Sequence, residues 1–172
     1  MALKRRDLIK SALLGAGAAS SAAAQHVHVT TIAPAQAAST TGAAWKPQVL
    51  DAHQNETVIQ LSELIIPTTD TPGARDAKVN EWVDLYLADL AEDKGHSFLM
   101  GLGWLDGHAL KQHGAPFVRL TEAQQVAILE KLDGAAEPEL KPGAEFFKQI
   151  KSLTVEGYYT SRIGIAELNK DG

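Results

Sequence analysis

The chain of 172 residues is long enough for one domain of ordinary size and too short for two. Lys and Arg number 16 against 21 Asp and Glu, and the resulting net charge of −5 argues against a nucleic-acid partner. With 45% hydrophobic residues the chain can bury a core. The absence of cysteine excludes disulfides, thiolate metal sites, covalent haem and iron–sulfur clusters.

The N-terminus carries the pattern of an export signal. Met1–Lys10 contains the paired Arg5 and Arg6, and residues 11–24 form a weakly apolar stretch rich in Ala and Gly. This layout is typical of a twin-arginine signal peptide, which exports proteins in the folded state. The alternatives are a plain secretory signal and a membrane anchor, although the 14 uncharged residues fall short of the about 20 that span a bilayer.

Two sites with small residues suit cleavage of this signal, one ending at Ala24 and one at Ala37. Cleavage after Ala37 is preferred, because a run of Ser, Thr and Gly follows it and suits a flexible mature N-terminus. We therefore predict a twin-arginine signal peptide at 1–37, a flexible start at 38–49 and a single helical domain at 50–172. The predicted location of the mature chain is the periplasm.

The hydrophobic periodicity of the mature chain predicts an all-α fold, a small bundle of about five helices with irregular loops. The predicted helices are 51–66, 79–92, 96–112, 121–132 and a fifth that includes Phe146 and continues to about Ser161. Capping-box patterns mark the starts of the first and fourth helices. A loop rich in Pro and Gly at 67–77 separates the first two.

The histidines and acidic residues of the mature chain do not form a recognisable catalytic or metal-binding pattern. His108 and His113 point about 140° apart on a helix, and Glu92 with His96 would supply only two ligands. No Gly-x-Ser-x-Gly turn supports a catalytic triad. The glycines of residues 101–103 lack the third glycine of a nucleotide-binding loop and follow no strand. We predict no catalytic, cofactor-binding or metal-ligating residue in this chain.

Three aromatic residues, Trp104, Tyr158 and Tyr159, are predicted to face a partner protein. Trp104 lies on a glycine-rich helix whose apolar residues extend around more than one side. The adjacent tyrosines point about 100° apart on a helix and cannot share one core pocket. Large amphipathic rings outside a small core are typical interface anchors. The alternative is a core position with a hydrogen-bonded hydroxyl. Trp82 and Tyr86 are assigned to the core.

Several segments follow one another in the order of a known family: Leu50–Gln54, Leu64–Pro67, Asp70–Ala74, Phe98–Leu105, Leu120–Leu129, Phe146–Thr154 and Gly157–Ser161. Together they resemble the small subunit of membrane-associated gluconate 2-dehydrogenase. That family also contains the small subunits of bacterial FAD-dependent glucose and fructose dehydrogenases. The most specific parts are the Ile-Ile-Pro segment with its following Pro-Gly-Ala, and the Gly-Tyr-Tyr-Thr-Ser run.

The resemblance implies a non-catalytic, chaperone-like subunit. In this family FAD and the catalytic base lie in a larger flavoprotein subunit of the glucose–methanol–choline type. That subunit lacks its own signal and is exported together with the small one. Electrons then pass to a cytochrome c subunit or to another acceptor, and the small subunit meets the membrane only through the complex.

Two other classes of function stay open at the level of sequence. One is a free-standing periplasmic helical binding module, and the other is an enzyme that uses the histidines with a metal. Members of the resembled family usually continue further than Gly172, which indicates a shortened chain or a fragment.

Overall fold

The computed structural model describes residues 45–170, which form six α-helices and one 3-10 turn. The elements are α1 (Ala52–Ile65), α2 (Val79–Asp89), α3 (Glu92–His113), the 3-10 turn (Phe117–Arg119), α4 (Glu122–Leu132), α5 (Lys141–Thr160) and α6 (Arg162–Leu168). No strand occurs among these residues, so the prediction of an all-α fold is confirmed. The predicted export signal, with Arg5 and Arg6, lies outside the described residues.

The long helix α5 is the centre of the bundle, because α1, α2, α3, α4 and α6 all pack against it. The side chains that fill the space between these helices are fully buried and large. They include Val58, Leu61, Val83, Phe98, Leu105, Ile150 and Tyr158. Burying a side chain of this size stabilises the fold by about 1.5–3 kcal/mol each. Within residues 45–170, no helix is both long enough and apolar enough to cross a membrane.

Both predicted capping boxes are present. The Asp51 carboxylate accepts the N–H of Gln54 at 2.8 Å, and the Gln54 side chain accepts the N–H of Asp51 at 2.9 Å. Thr121 and Gln124 repeat this reciprocal pair at the start of α4. Each box satisfies N–H groups that the first turn of a helix leaves without a partner.

Two helix boundaries differ from the prediction. The second helix ends at Asp89, and α3 begins at Glu92 rather than at 96, because the chain turns through extended geometry at Leu90. The fifth helix, predicted only as the segment that includes Phe146, begins at Lys141, and Pro142 lies in its first turn, where the N–H it lacks would have no partner in any case.

A sixth helix was not predicted. Ser161 has extended backbone geometry and ends α5, and its hydroxyl then accepts the N–H of Gly164 at 3.0 Å as the N-cap of α6. Ser161 therefore serves as the end of one helix and the start of the next. The Gly-Tyr-Tyr-Thr-Ser run forms this junction.

Candidate partner interface

The N-terminal end of the described chain is bound to α2 through one buried carboxylate. Asp84, which has no exposed surface, accepts the N–H groups of Gln48 at 2.6 Å, Val49 at 3.0 Å and Leu50 at 2.9 Å. Gln48 and Val49, the last two residues of the predicted flexible start at 38–49, are therefore hydrogen-bonded to α2. The sequence pattern did not reveal Asp84, which reads as an ordinary acidic residue on an amphipathic helix.

The loop after α1 is held rigidly by the last turns of that helix. The Glu63 carboxylate accepts the N–H of Thr68 at 2.8 Å and the N–H of Arg75 at 2.9 Å. Burial alone would raise the pKa of Glu63. The hydrogen bonds from Arg75 and Thr68, together with the Arg75 cation, outweigh this effect and hold the pKa below its ordinary value. Gly73 completes the loop, because a Cβ there would collide with the backbone of Thr68.

The predicted interface residue Tyr158 is part of the core instead, with 1% of its surface exposed. Its hydroxyl oxygen lies 2.8 Å from the carbonyl oxygen of Pro72 and 2.6 Å from Oε2 of Glu167, so one O–H is shared by two acceptors. Burial raises the pKa of Tyr158, and the Glu167 carboxylate raises it further. Tyr158 thus joins the loop after α1 to α6 and is not available to a partner.

Tyr159 remains half-buried at the edge of the same cluster. Its ring meets the ring of Tyr158 edge-on, with centroids 5.2 Å apart and planes at 88°. The two tyrosines diverge as the helical geometry predicts, and one of them enters the core. A role for Tyr159 in binding a partner stays a prediction.

Trp104 is also half-buried and lies between α3 and α5. It packs directly against Gly143, where any Cβ would overlap the indole ring, and it stacks on His108 with centroids 4.9 Å apart and planes at 12°. The indole therefore has one part inserted between helices and one part facing solvent. A role for Trp104 in binding a partner stays a prediction.

The exposed part of this stack borders the groove that we call the Trp104 groove, of about 590 Å³. It lies between the C-terminal half of α3, the end of α4 and the connection to α5. Its lining includes Trp104, His108, Lys111, Lys131, Glu137 and Leu140. A volume of this size is in the range of sites that bind small molecules or a few side chains of another protein.

Two lysines, Lys111 and Lys131, and two glutamates, Glu137 and Glu139, line this groove. Burial lowers the pKa of His108, and the nearby positive charges of Lys131, Lys111 and His113 lower it further. The imidazole of His108 therefore loses its proton at a lower pH than an unperturbed imidazole does. These basic groups come from the last turns of α3 and α4.

A second aromatic pair lies on α2 and corrects the assignment of Tyr86 to the core, whereas the half-buried Trp82 does pack against the core. Tyr86 is 36% exposed and stacks on the half-buried Trp82, with centroids 5.3 Å apart and planes at 11°. Trp82 packs on Gly157 of α5, whose missing side chain leaves room for the indole. The ring of Tyr86 therefore stays outside the core, beside the exposed Leu85.

One histidine, His53, links separate elements of the fold. His53 Nε2 lies 2.5 Å from Oδ2 of Asp106, whose other oxygen accepts the N–H of Phe117 at 2.9 Å, so this pair joins α1 to α3 and the 3-10 turn. Between residues 45 and 170, no group of three or more His, Asp or Glu side chains is close enough to hold a metal ion. The glycines of residues 101–103 lie inside α3, not in a phosphate-binding turn.

These observations define an all-helical domain with a hydrogen-bonded loop after α1, an N-terminal segment bound to Asp84 and half-exposed aromatic side chains. The family model of gluconate 2-dehydrogenase subunit 3 matches residues 52–170, and the chain belongs to this family. It is accordingly a subunit of the kind that takes part in a multi-subunit dehydrogenase complex. Comparison with curated proteins and with solved structures gives no match.

Proposed function

We propose that this chain is the non-catalytic small subunit of a periplasmic FAD-dependent sugar or alcohol dehydrogenase. It binds a flavoprotein subunit of the glucose–methanol–choline type, supports its folding and stability, and carries it through the twin-arginine pathway. The observation that carries the proposal is the family match, which spans almost the whole described domain. In this arrangement FAD belongs to the flavoprotein, and a cytochrome c subunit or another acceptor receives the electrons.

Two further features support this function. The paired Arg5 and Arg6 precede a weakly apolar segment, as folded-state export requires. The exposed stack of Tyr86 on Trp82 and the half-exposed Trp104 supply large rings of the type that anchor protein interfaces. A permanently bound subunit needs such surfaces, whereas an independent binding module needs a ligand site of its own.

The export role is tested by changing Arg5 and Arg6 to Lys in the full chain, co-expressed with the flavoprotein. We expect both subunits to stay in the cytoplasm and periplasmic dehydrogenase activity to be lost, while the small subunit still folds. The control variant changes Lys4 and Lys10 to Gln, which removes two of the four positive charges of residues 1–10 but keeps the arginine pair. Normal periplasmic activity of the arginine variant would contradict co-export.

The alternative, a free-standing periplasmic binding module, makes a different prediction for the purified chain. A module should be stable and monodisperse alone, whereas a permanent subunit should aggregate or bind an apolar dye until the flavoprotein is added. Light scattering with and without the co-expressed flavoprotein separates the two.

A further inference from the structure

The connection between α1 and α2 makes an excursion that joining the two helices does not require. The N–H of Ala74 donates to the carbonyl oxygen of Ile66 at 2.9 Å, so the two ends of the excursion lie side by side. Residues 67–73 therefore leave the bundle and return to the place from which they left. Compact surface loops with close ends, called Ω-loops, frequently have a function of their own. We call residues 66–74 the Ω-loop.

The excursion of the Ω-loop adds little to the hydrophobic core. Of residues 67–73 only Gly73 is buried, and five of the other six are exposed: Pro67, Thr68, Thr69, Asp70 and Pro72. Burial of apolar side chains is therefore not what maintains the shape of this segment.

Hydrogen bonds and prolines maintain this shape instead. The Glu63 carboxylate of α1 accepts the N–H of Thr68 at 2.8 Å. The hydroxyl of Thr68 in turn accepts the N–H of Gly73 at 3.1 Å, which joins the two arms of the loop. On the other side, the Tyr158 hydroxyl of α5 lies 2.8 Å from the carbonyl oxygen of Pro72. The two prolines of the loop restrict the backbone further. An exposed segment thus has a fixed shape that its own burial does not explain.

The tip of the Ω-loop offers hydrogen-bonding groups rather than apolar surface. Thr69 donates its N–H to the carbonyl oxygen of Thr71 at 3.0 Å and its hydroxyl to the Asp70 carboxylate at 3.0 Å. Among residues 45–170, no cation lies within 4.0 Å of that carboxylate. Within the same part of the chain, the N–H groups of Asp70 and Thr71 donate to no protein atom. One carboxylate and two N–H groups in fixed positions suit a polar surface that supplies their partners.

We propose that the tip of the Ω-loop, Thr69–Thr71, is a preformed contact that binds a polar surface of the flavoprotein subunit. Ordering a loop on binding costs conformational entropy, and a loop that already has its bound shape avoids this cost. The hydrogen bonds of Glu63 and Tyr158 then contribute to affinity, although neither residue touches the partner. The inference rests on the proposed function, which supplies the flavoprotein as the partner.

The first test measures binding of the full chain to the flavoprotein subunit, with Asp70→Arg at the tip. We expect the dissociation constant to rise about tenfold or more, because the variant removes the carboxylate and places a longer side chain of opposite charge at the contact. Thermal unfolding should be unchanged, since Asp70 is exposed. The matched control is Glu130→Arg, the same change of charge at an exposed position of α4, and should leave the dissociation constant within about twofold.

A second variant tests the fixed shape without changing the tip. Glu63→Gln replaces one carboxylate oxygen by an N–H₂ group, which cannot accept the N–H of Thr68 or Arg75. We expect hydrogen exchange at Thr68 to accelerate and the dissociation constant to rise about threefold or more. The control is Glu56→Gln at an exposed position of the same helix, which should change neither quantity. Faster exchange with an unchanged dissociation constant would overturn the role of the fixed shape.

Hydrogen exchange in the complex gives an independent measurement of the contact. The N–H groups of Asp70 and Thr71 should exchange rapidly in the chain alone and slowly once the flavoprotein is bound. Rapid exchange of both groups in the complex would overturn the contact at the tip.

The outcomes separate the two proposals. Failure of the wild-type chain to bind the flavoprotein would contradict the proposed function itself. Normal wild-type binding with an unchanged dissociation constant for Asp70→Arg would overturn the contact at the Ω-loop and leave the proposed function standing. A dimer of the chain alone that dissociates in the Asp70→Arg variant would show that a second copy contacts the loop, and would also overturn the proposal.

Discussion

Trp104 on α3 lies directly against Gly143 on α5, and Phe146, three residues after that glycine, lies directly against Gly101, three residues before the tryptophan. Each helix thus presents a glycine that receives the aromatic ring of the other. This reciprocal contact sets the relative position of α3 and α5 along their axes, because neither glycine can be replaced without displacing a ring. It also holds Trp104 at the edge of the groove.

Changing Gly143 to Ala should destabilise the fold by about 1–3 kcal/mol, because the added methyl group overlaps the indole of Trp104. The matched control is Gly103 to Ala on α3, where a Cβ meets nothing within 4 Å. That change should stabilise by up to about 1 kcal/mol, as alanine normally does in a helix. Urea denaturation of both variants measures the difference, and equal stability of the two would contradict the interlocking contact.

Changing Asp84 to Asn should cost about 3 kcal/mol of unfolding free energy. The side chain accepts three backbone N–H groups, and an amide presents its own N–H₂ where a carboxylate oxygen now accepts. Asp89 to Asn on the same helix is the control, because Asp89 is exposed, and should change stability by no more than about 0.5 kcal/mol. Hydrogen exchange should accelerate at Gln48 and Val49 in the Asp84 variant. Unchanged exchange at Gln48 and Val49 would show that Asp84 does not hold the segment before α1 in place.

Changing Tyr158 to Phe should destabilise by about 1–2 kcal/mol, because the carbonyl of Pro72 and the carboxylate of Glu167 lose their shared donor. Tyr159 to Phe is the control, since the Tyr159 hydroxyl has no hydrogen-bond partner in the described part of the chain. Its effect should lie within about 0.5 kcal/mol. Thermal unfolding compares the two. A larger loss for the Tyr159 variant would contradict the assignment of Tyr158 as the residue that joins the loop to α6.

The imidazole of His108 should titrate below its ordinary pKa of 6.5, because burial and the charges of Lys131, Lys111 and His113 disfavour the protonated form. The unfolded chain then binds the proton more readily, so the contribution of His108 to stability is present above pH 6.5 and is lost as the pH falls through the folded-state pKa. Changing Lys131 to Gln should raise that pKa. NMR titration of the His108 ring measures both values, and a midpoint that does not respond to Lys131 would contradict the electrostatic cause.

Local patterns were sufficient to predict five of the six α-helices of residues 45–170. The capping boxes at Asp51 and Thr121 were recognisable because each uses residues three positions apart, whose interaction depends only on the helix itself. The apolar spacing of α2 depends on the same short range. The predicted end of the fifth helix at about Ser161 is confirmed, but the start of a further helix at the same residue was missed.

The surface could not be predicted in the same way. Sequence spacing shows that Tyr158 and Tyr159 diverge, but only the folded chain brings Pro72 and Glu167 to the hydroxyl of one of them and so places it in the core.

The chain alone thus determined its all-α class, the capped starts of α1 and α4 and its family resemblance, because these depend on residues close together along the sequence. The tertiary structure decided which rings are buried and that Lys111 and Lys131 share one groove. The physical reason is that burial and electrostatic potential depend on neighbours contributed by distant parts of the chain. A side chain on one helix has no determined exposure until the other helices pack against it.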